Sequence, residues 1–114
     1  MFHMLSCINL KPDVSIDEFR DAVAEMTALL QRSDLLHATG PIGRRQRHPV
    51  MDTDAERDHE YFFIMSFTDR AQCDRAVEKI YKHEDPQDEI HKSVYARISN
   101  PVFICWEDLD QTPG

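Results

Sequence analysis

No apolar run in this chain approaches the roughly 20 residues that a bilayer-spanning helix needs. Positive charge is also scarce. Lys and Arg number 13 against 21 Asp and Glu, a formal charge of −8. Nonspecific nucleic-acid binding rests on Lys and Arg neutralising phosphates, so this balance argues against that class. It argues against docking on anionic lipid for the same reason. No nucleic-acid and no membrane partner is expected.

Closely spaced cysteine pairs are missing. Cys7, Cys73 and Cys105 are odd in number and far apart. A disulfide framework or zinc ribbon needs near neighbours. Reduced, mostly buried thiols in a reducing compartment are the better expectation. The opening Met1-Phe2-His3-Met4-Leu5-Ser6-Cys7 has no basic segment before its apolar residues, unlike a secretory signal. A cytoplasmic location is expected. Metal spacing is absent as well. Three residues after Glu84 stands Gln87, where a zincin has histidine. No metal and no cofactor is expected, and there is no repeat or low-complexity segment.

What is present fits one domain. The 114 residues suit a single core over 1–109, with 110–114 as a loose tail. Residues 2–10 are apolar-rich and end at Lys11-Pro12-Asp13, which reads as a strand closed by a turn. Ser15 and Glu18 form a capping box at a helix start. Behind it Ile16, Phe19, Val23, Met26 and Leu30 recur at helical spacing to about residue 33. Residues 35–48 read as a second strand, made irregular by Gly40-Pro41-Ile42-Gly43 because proline cannot donate to a ladder. The acidic stretch 49–58 is long for a hairpin connection. Residues 60–67 are the most apolar strand. Asp69 and Gln72 form a second capping box, with Cys73, Ala76, Val77 and Ile80 as the buried face. A short third helix is expected within 84–100, capped by Asp85, with Pro86 in its first turn and Ile90 and Val94 on one side. Pro101 should stop it, and 102–107 should be the last strand.

The order β-α-β-β-α-(α)-β is the split βαβ plan: an α+β, ferredoxin-like fold, a four-stranded antiparallel sheet with helices on one face. The other face then lies bare. Phe2, Leu5, Phe62, Phe63, Ile64, Val102, Phe103 and Trp106 are too many apolar groups for one face alone. A large bare apolar face is not tolerated in a soluble monomer. A homodimer packing this face on itself with two-fold symmetry solves the problem.

In this order of elements, across residues 2–108, the chain resembles the dimeric α+β barrel superfamily. That grouping includes antibiotic-biosynthesis-type monooxygenases, stress-responsive barrel proteins and EthD-like proteins. The stretches Gly40-Pro41-Ile42-Gly43-Arg44-Arg45, Asp58-His59-Glu60-Tyr61-Phe62 and Pro101-Val102-Phe103-Ile104-Cys105-Trp106-Glu107-Asp108 also resemble a small bacterial family without an assigned activity. The resemblance implies the fold and a dimeric barrel. It implies no particular chemistry, because one fold hosts many functions.

Candidate site residues come from three groups. Arg44, Arg45 and Arg47 form a basic cluster that can grip a carboxylate or phosphate. On a strand Arg44 faces opposite to Arg45 and Arg47. Pairing with Asp52, Asp54, Glu56 and Asp58 of the next loop is the preferred reading. The histidines His3, His37, His59, His83 and His91 are natural acid–base groups. His3 and His59 can meet if their strands are neighbours, though ordinary hydrogen-bonded roles are preferred for all five. Tyr61, Phe63, Tyr95 and Trp106 can wall a small-molecule pocket or simply pack. Cys7 and Cys105 fall on strands expected to be adjacent.

The first strand splits into two sets. Phe2, Met4, Ser6, Ile8 and Leu10 are the more apolar and should meet the first helix. His3, Leu5, Cys7 and Asn9 should lie on the open side. A pocket there is expected to draw on His3, Cys7, Asn9, Arg44, His59, Tyr61 and Trp106, with no catalytic residue assigned. The leading functional expectation is a domain binding a small organic or anionic ligand, in a pocket between helix and sheet or inside a dimer barrel. A cofactor-independent oxygenase or isomerase and a dimeric interaction module without ligand are the alternatives.

Overall fold

The computed structural model describes residues 1–109. The tail 110–114 expected from the sequence lies outside the described residues. The elements are β1 (Phe2–Leu10), α1 (Ile16–Arg32), β2 (Ala38–Thr39), β3 (Gly43–Arg44), β4 (Tyr61–Phe67), α2 (Arg70–Tyr81), α3 (Gln87–Tyr95) and β5 (Ile98–Glu107). The sheet order is β2-β4-β1-β5, with β3 also on β4, and every pairing is antiparallel. This is the α+β, ferredoxin-like arrangement, with one edge strand broken in two.

That break corrects the single strand expected over 35–48. Only two short pieces pair with β4. Pro41 between them has no N–H to give, while Gly40 N still reaches the Ile64 carbonyl at 2.8 Å. The chain leaves the sheet soon after Arg45 N donates to Glu60 O at 2.7 Å. The last strand is also longer than expected. It starts at Ile98 and carries Pro101 within it. β5 is an edge, so a proline there need cost no ladder bond. A register shift between Cys7 and Asn9 and the left-handed backbone of Asn100, φ 52°, absorb the irregularity.

Both expected helix starts form. Ser15 Oγ accepts from Glu18 N at 3.1 Å, and Asp69 Oδ1 from Gln72 N at 2.8 Å. Gln72 Oε1 reaches Thr68 N, one residue before the cap. Asp85, expected to cap the third helix, does not. The helix begins beyond Pro86, and no side chain caps it. Buried Asp88 instead accepts from Lys92 Nζ at 3.0 Å and pairs with His83 Nδ1 at 3.2 Å. The Lys92 hydrogen bond, seconded by that of His83, holds its carboxyl below the usual range.

The strand-one alternation places Met4, Ser6 and Ile8 under the helices and Leu5 and Cys7 on the other face. Phe19, Ile8 and Ser6 are fully buried. Phe19 meets Phe63 edge-on, centroids 6.0 Å apart. Helix α2 departs from expectation. Of Cys73, Ala76, Val77 and Ile80, only Ala76 is buried, and Val77 is 39% exposed. The helix does not pack flush on the sheet; a cavity lies along its apolar face.

On the open face the cross-strand rows are Ser66–His3–Trp106, Ile64–Leu5–Ile104 and Phe62–Cys7–Val102. The loop 45–58 folds back over Leu5, Cys7, Phe62 and Ile104 of the last two rows as a strap. Ile64, Ile104 and Trp106 remain exposed.

Candidate functional site

The cavity between the helices and the sheet has a volume of about 370 Å³, within the range of small-molecule sites. Its floor is β1, with Met4, Ser6 and Ile8; α1 supplies Phe19, Met26 and Leu30. Exposure grades from the floor to the rim. Ser6 and Ile8 are at 0%, whereas Tyr95 is 49% and Tyr81 79% exposed. No Asp, Glu, Lys or Arg is among the lining residues. The polar groups are few. Ser6 Oγ has no hydrogen-bond partner among the described residues. His91 and Tyr95 stand four apart on α3 and stack, centroids 5.7 Å apart and 28° between planes. Burial pushes the His91 imidazole pKa down, which favours its neutral form. Burial likewise pushes the Cys73 thiol up.

The seven residues singled out in the sequence do not converge. His3 sits at one end of the open face. Its Nδ1 lies 2.8 Å from Ser66 Oγ, its Nε2 lies 3.0 Å from Asp108 Oδ1, and Trp106 leans over it at 5.2 Å. Cys7 lies at the other end, under the strap, where burial raises its pKa. Asn9 Oδ1 accepts from Glu60 N at 2.9 Å. Arg44 and Tyr61 pair beside each other, Nη2 to Oη 3.2 Å, with the guanidinium 5.5 Å from the ring centroid. His59 is buried. Its Nε2 donates to Asn100 O at 2.6 Å, and its Nδ1 has no partner among the described residues. His3 and His59 therefore do not meet. Cys7 and Cys105 lie on adjacent strands but are not cross-strand partners: Cys7 faces Val102 and Cys105 faces Met4, so they point to opposite faces. None of the seven lines the helix–sheet cavity, and Cys7 alone lines the groove beneath the strap.

That groove, about 560 Å³, has an apolar floor of Leu5, Cys7, Phe62 and Ile104 and a polar wall. Its guanidiniums are already engaged. Arg45 grips Asp52 through two bonds, 2.8 and 2.6 Å, and donates to the carbonyls of Asp54 and Arg57. Arg47 reaches the same two carbonyls, and Arg57 pairs with Asp54 at 3.0 Å. The cluster builds the strap, as the ion-pair reading has it. Among the described residues no group of three or more His, Cys, Asp or Glu is placed to hold a metal ion, and no helix is long and apolar enough to cross a membrane.

Ser6 is the polar group at the helix–sheet cavity that was not a candidate from the sequence; His91 and Tyr95, candidates among the histidines and the pocket-wall aromatics, do line it. One signal pointed to Ser6. It is the single polar member of the apolar set Phe2, Met4, Ser6, Ile8 and Leu10. His91 and Tyr95 at helical spacing gave a weaker one.

No protein-family model matches the sequence, and no curated protein matches it significantly. Solved structures do match. The At3g17210 protein of Arabidopsis thaliana superposes with a TM-score of 0.73 at 10% identity, covering 98% of this chain and 99% of that one. A single-site variant of SnoaB, a cofactor-independent oxygenase from Streptomyces nogalater, gives 0.67 at 13% identity, covering 99% and 97%. A dimeric ferredoxin-like protein of unknown function from Jannaschia sp. gives 0.63 at 18% identity, covering 94% and 98%. The chain thus shares the ferredoxin-like fold of these neighbours. Identities this low establish the fold and carry no activity with it.

Proposed function

We propose that this protein is a homodimeric small-molecule-binding domain, and that its ligand is an uncharged, mostly apolar molecule held between the helices and the sheet. The observation that carries this is a cavity of about 370 Å³ whose lining bears no formal charge. A charged ligand would lose its hydration there without a counter-charge. The dimer is supported by exposed Ile64, Ile104 and Trp106 on the open face, and by the dimeric Jannaschia neighbour. His3 and Trp106 are assigned to that interface. Three free cysteines fit a reducing cytoplasm. The test is titration with the neutral fluorophore N-phenyl-1-naphthylamine. Saturable binding at one site per chain, lost in Ala76→Phe, is expected. Absence of saturable binding, or binding that Ala76→Phe leaves intact, overturns the reading.

A second reading, a cofactor-independent oxygenase or isomerase, is favoured by one feature: the His91–Tyr95 pair at the cavity. A neutral imidazole is a proton acceptor, and the fold neighbour SnoaB is such an oxygenase. If a turned-over substrate is found, His91→Ala must remove turnover while probe binding persists.

A further inference from the structure

Ser6 stands at the middle of the central strand, opposite Phe63 on one side and Phe103 on the other. Its side chain belongs to the cavity floor, and its residue exposure is 0%. The surrounding set is apolar: Met4 and Ile8 flank it along the strand, with Phe19 of α1 also lining the cavity. A buried hydroxyl normally has a partner. Here no described residue supplies one. Packing alone gives no reason for it, because alanine would fill nearly the same space without burying a polar atom.

We infer that Ser6 is the specificity-determining group of this cavity, selecting neutral aromatic or alicyclic ligands that carry a hydroxyl or carbonyl at the end that enters first. The inference rests on the cavity reading above. A serine hydroxyl both donates and accepts, so it pairs with an alcohol, a phenol or a ketone. It does not hold a carboxylate, because no cation lines the cavity. The burial gradient fixes the orientation. The ligand's polar group lies at the sheet, beside Ser6, and its apolar body extends past Val77 toward the exposed Tyr81 and Tyr95. A ligand lacking that group forgoes the one hydrogen bond that Ser6 offers.

The experiment compares 2-naphthol with 2-methylnaphthalene, two bicyclic probes of similar shape that differ by hydroxyl for methyl. Dissociation constants are measured on the wild-type chain and on Ser6→Ala. One hydrogen bond corresponds to about a fivefold change in the ratio of the two constants. Ser6→Ala is expected to lower the 2-naphthol preference by that factor and to leave 2-methylnaphthalene bound at least as tightly. Should Ser6→Ala not fold, Ser6→Cys, slightly larger and a much weaker hydrogen-bonding group, must lower the 2-naphthol preference in the same direction. If wild type and variant give the same ratio, Ser6 selects nothing and the inference is overturned, while the cavity reading stands. If neither probe binds the wild type, the cavity reading itself falls.

Discussion

At the scale of single residues, the strap 45–58 depends most on Arg45. Both bonds of its fork go to Asp52, and its remaining donors go to loop carbonyls. The Arg45 hydrogen bonds bring the Asp52 carboxyl from an ordinary 3.8 down to about 2. A carboxyl depressed on folding adds stability above its unfolded value and loses it as pH falls through its folded value. The strap should therefore hold from neutral pH to below 4 and loosen as pH approaches 2. Limited pepsin digestion across pH 4 to 2 reads this. Cleavage within 45–58 is expected to rise toward the lower end. Asp52→Asn should be cleaved readily throughout, with no such rise. Equal protection of both forms at pH 4 would remove Asp52 from this role. The opposition of charges between 44–47 and 52–58 was legible in the sequence, and so was the split of Arg44 from Arg45 and Arg47. Strand alternation turns Arg44 toward Tyr61, while its neighbours take the loop. Which carboxylate is gripped was not legible, because that depends on how the loop closes.

At the scale of elements, α1 holds the core together. Phe19 is fully buried and meets Phe63 edge-on. Phe19→Ala should destabilise the fold by about 3 kcal/mol, the lower end of the usual range, because the cavity beside it gives neighbours room to relax. Ser15→Ala should cost about 1 kcal/mol, since it removes only the bond to Glu18 N. Urea denaturation separates the two. A Phe19→Ala effect no larger than that of Ser15→Ala would show that the helix–sheet layer is not the core. Elements with local chemistry were legible: the N-caps Ser15 and Asp69 and the alternation of β1 stand as read, while Glu18 turns to Arg97 and Gln72 to Thr68 N instead of closing the boxes. Elements defined by position were not. Pro101 looked like a stop because sequence gives no sign that β5 is an edge, where a missing N–H is tolerated. The amphipathic face of α2 was visible, but periodicity gives the direction of a face and not its distance from the sheet. That stand-off opens the cavity, so the site was the least legible part of the fold. Ser6, polar within an apolar set, and the candidates His91 and Tyr95 marked it without placing it.

At the scale of the whole molecule, the shortest dimension is 20 Å, the depth of two layers at about 10 Å each. One layer is sheet and the other is helices, so the sheet's other face has no helical layer of its own chain, only the strap over part of it. The strap lies over Cys7 and Phe62, and Cys7 is 4% exposed. It leaves the Trp106 end bare, with Ile64 at 37%, Ile104 at 46% and Trp106 at 40% exposure. Apolar side chains clustered in neighbouring rows of one face form a patch of the kind that meets another surface. A two-fold axis lying between two such faces lets the same patch cover itself, with no second protein required. Light scattering should then give twice the 13.3 kDa chain mass at micromolar concentration. Ile104→Asp places a carboxylate on this face and should reduce the mass to one chain. Val77→Ser, on the helix side, should leave it doubled. Trp106 supplies an independent reading, since its emission should move to the red when Ile104→Asp returns the ring to water. A single-chain mass for the wild type, or a doubled mass that survives Ile104→Asp with unchanged Trp106 emission, would mean that this face is not where two copies meet.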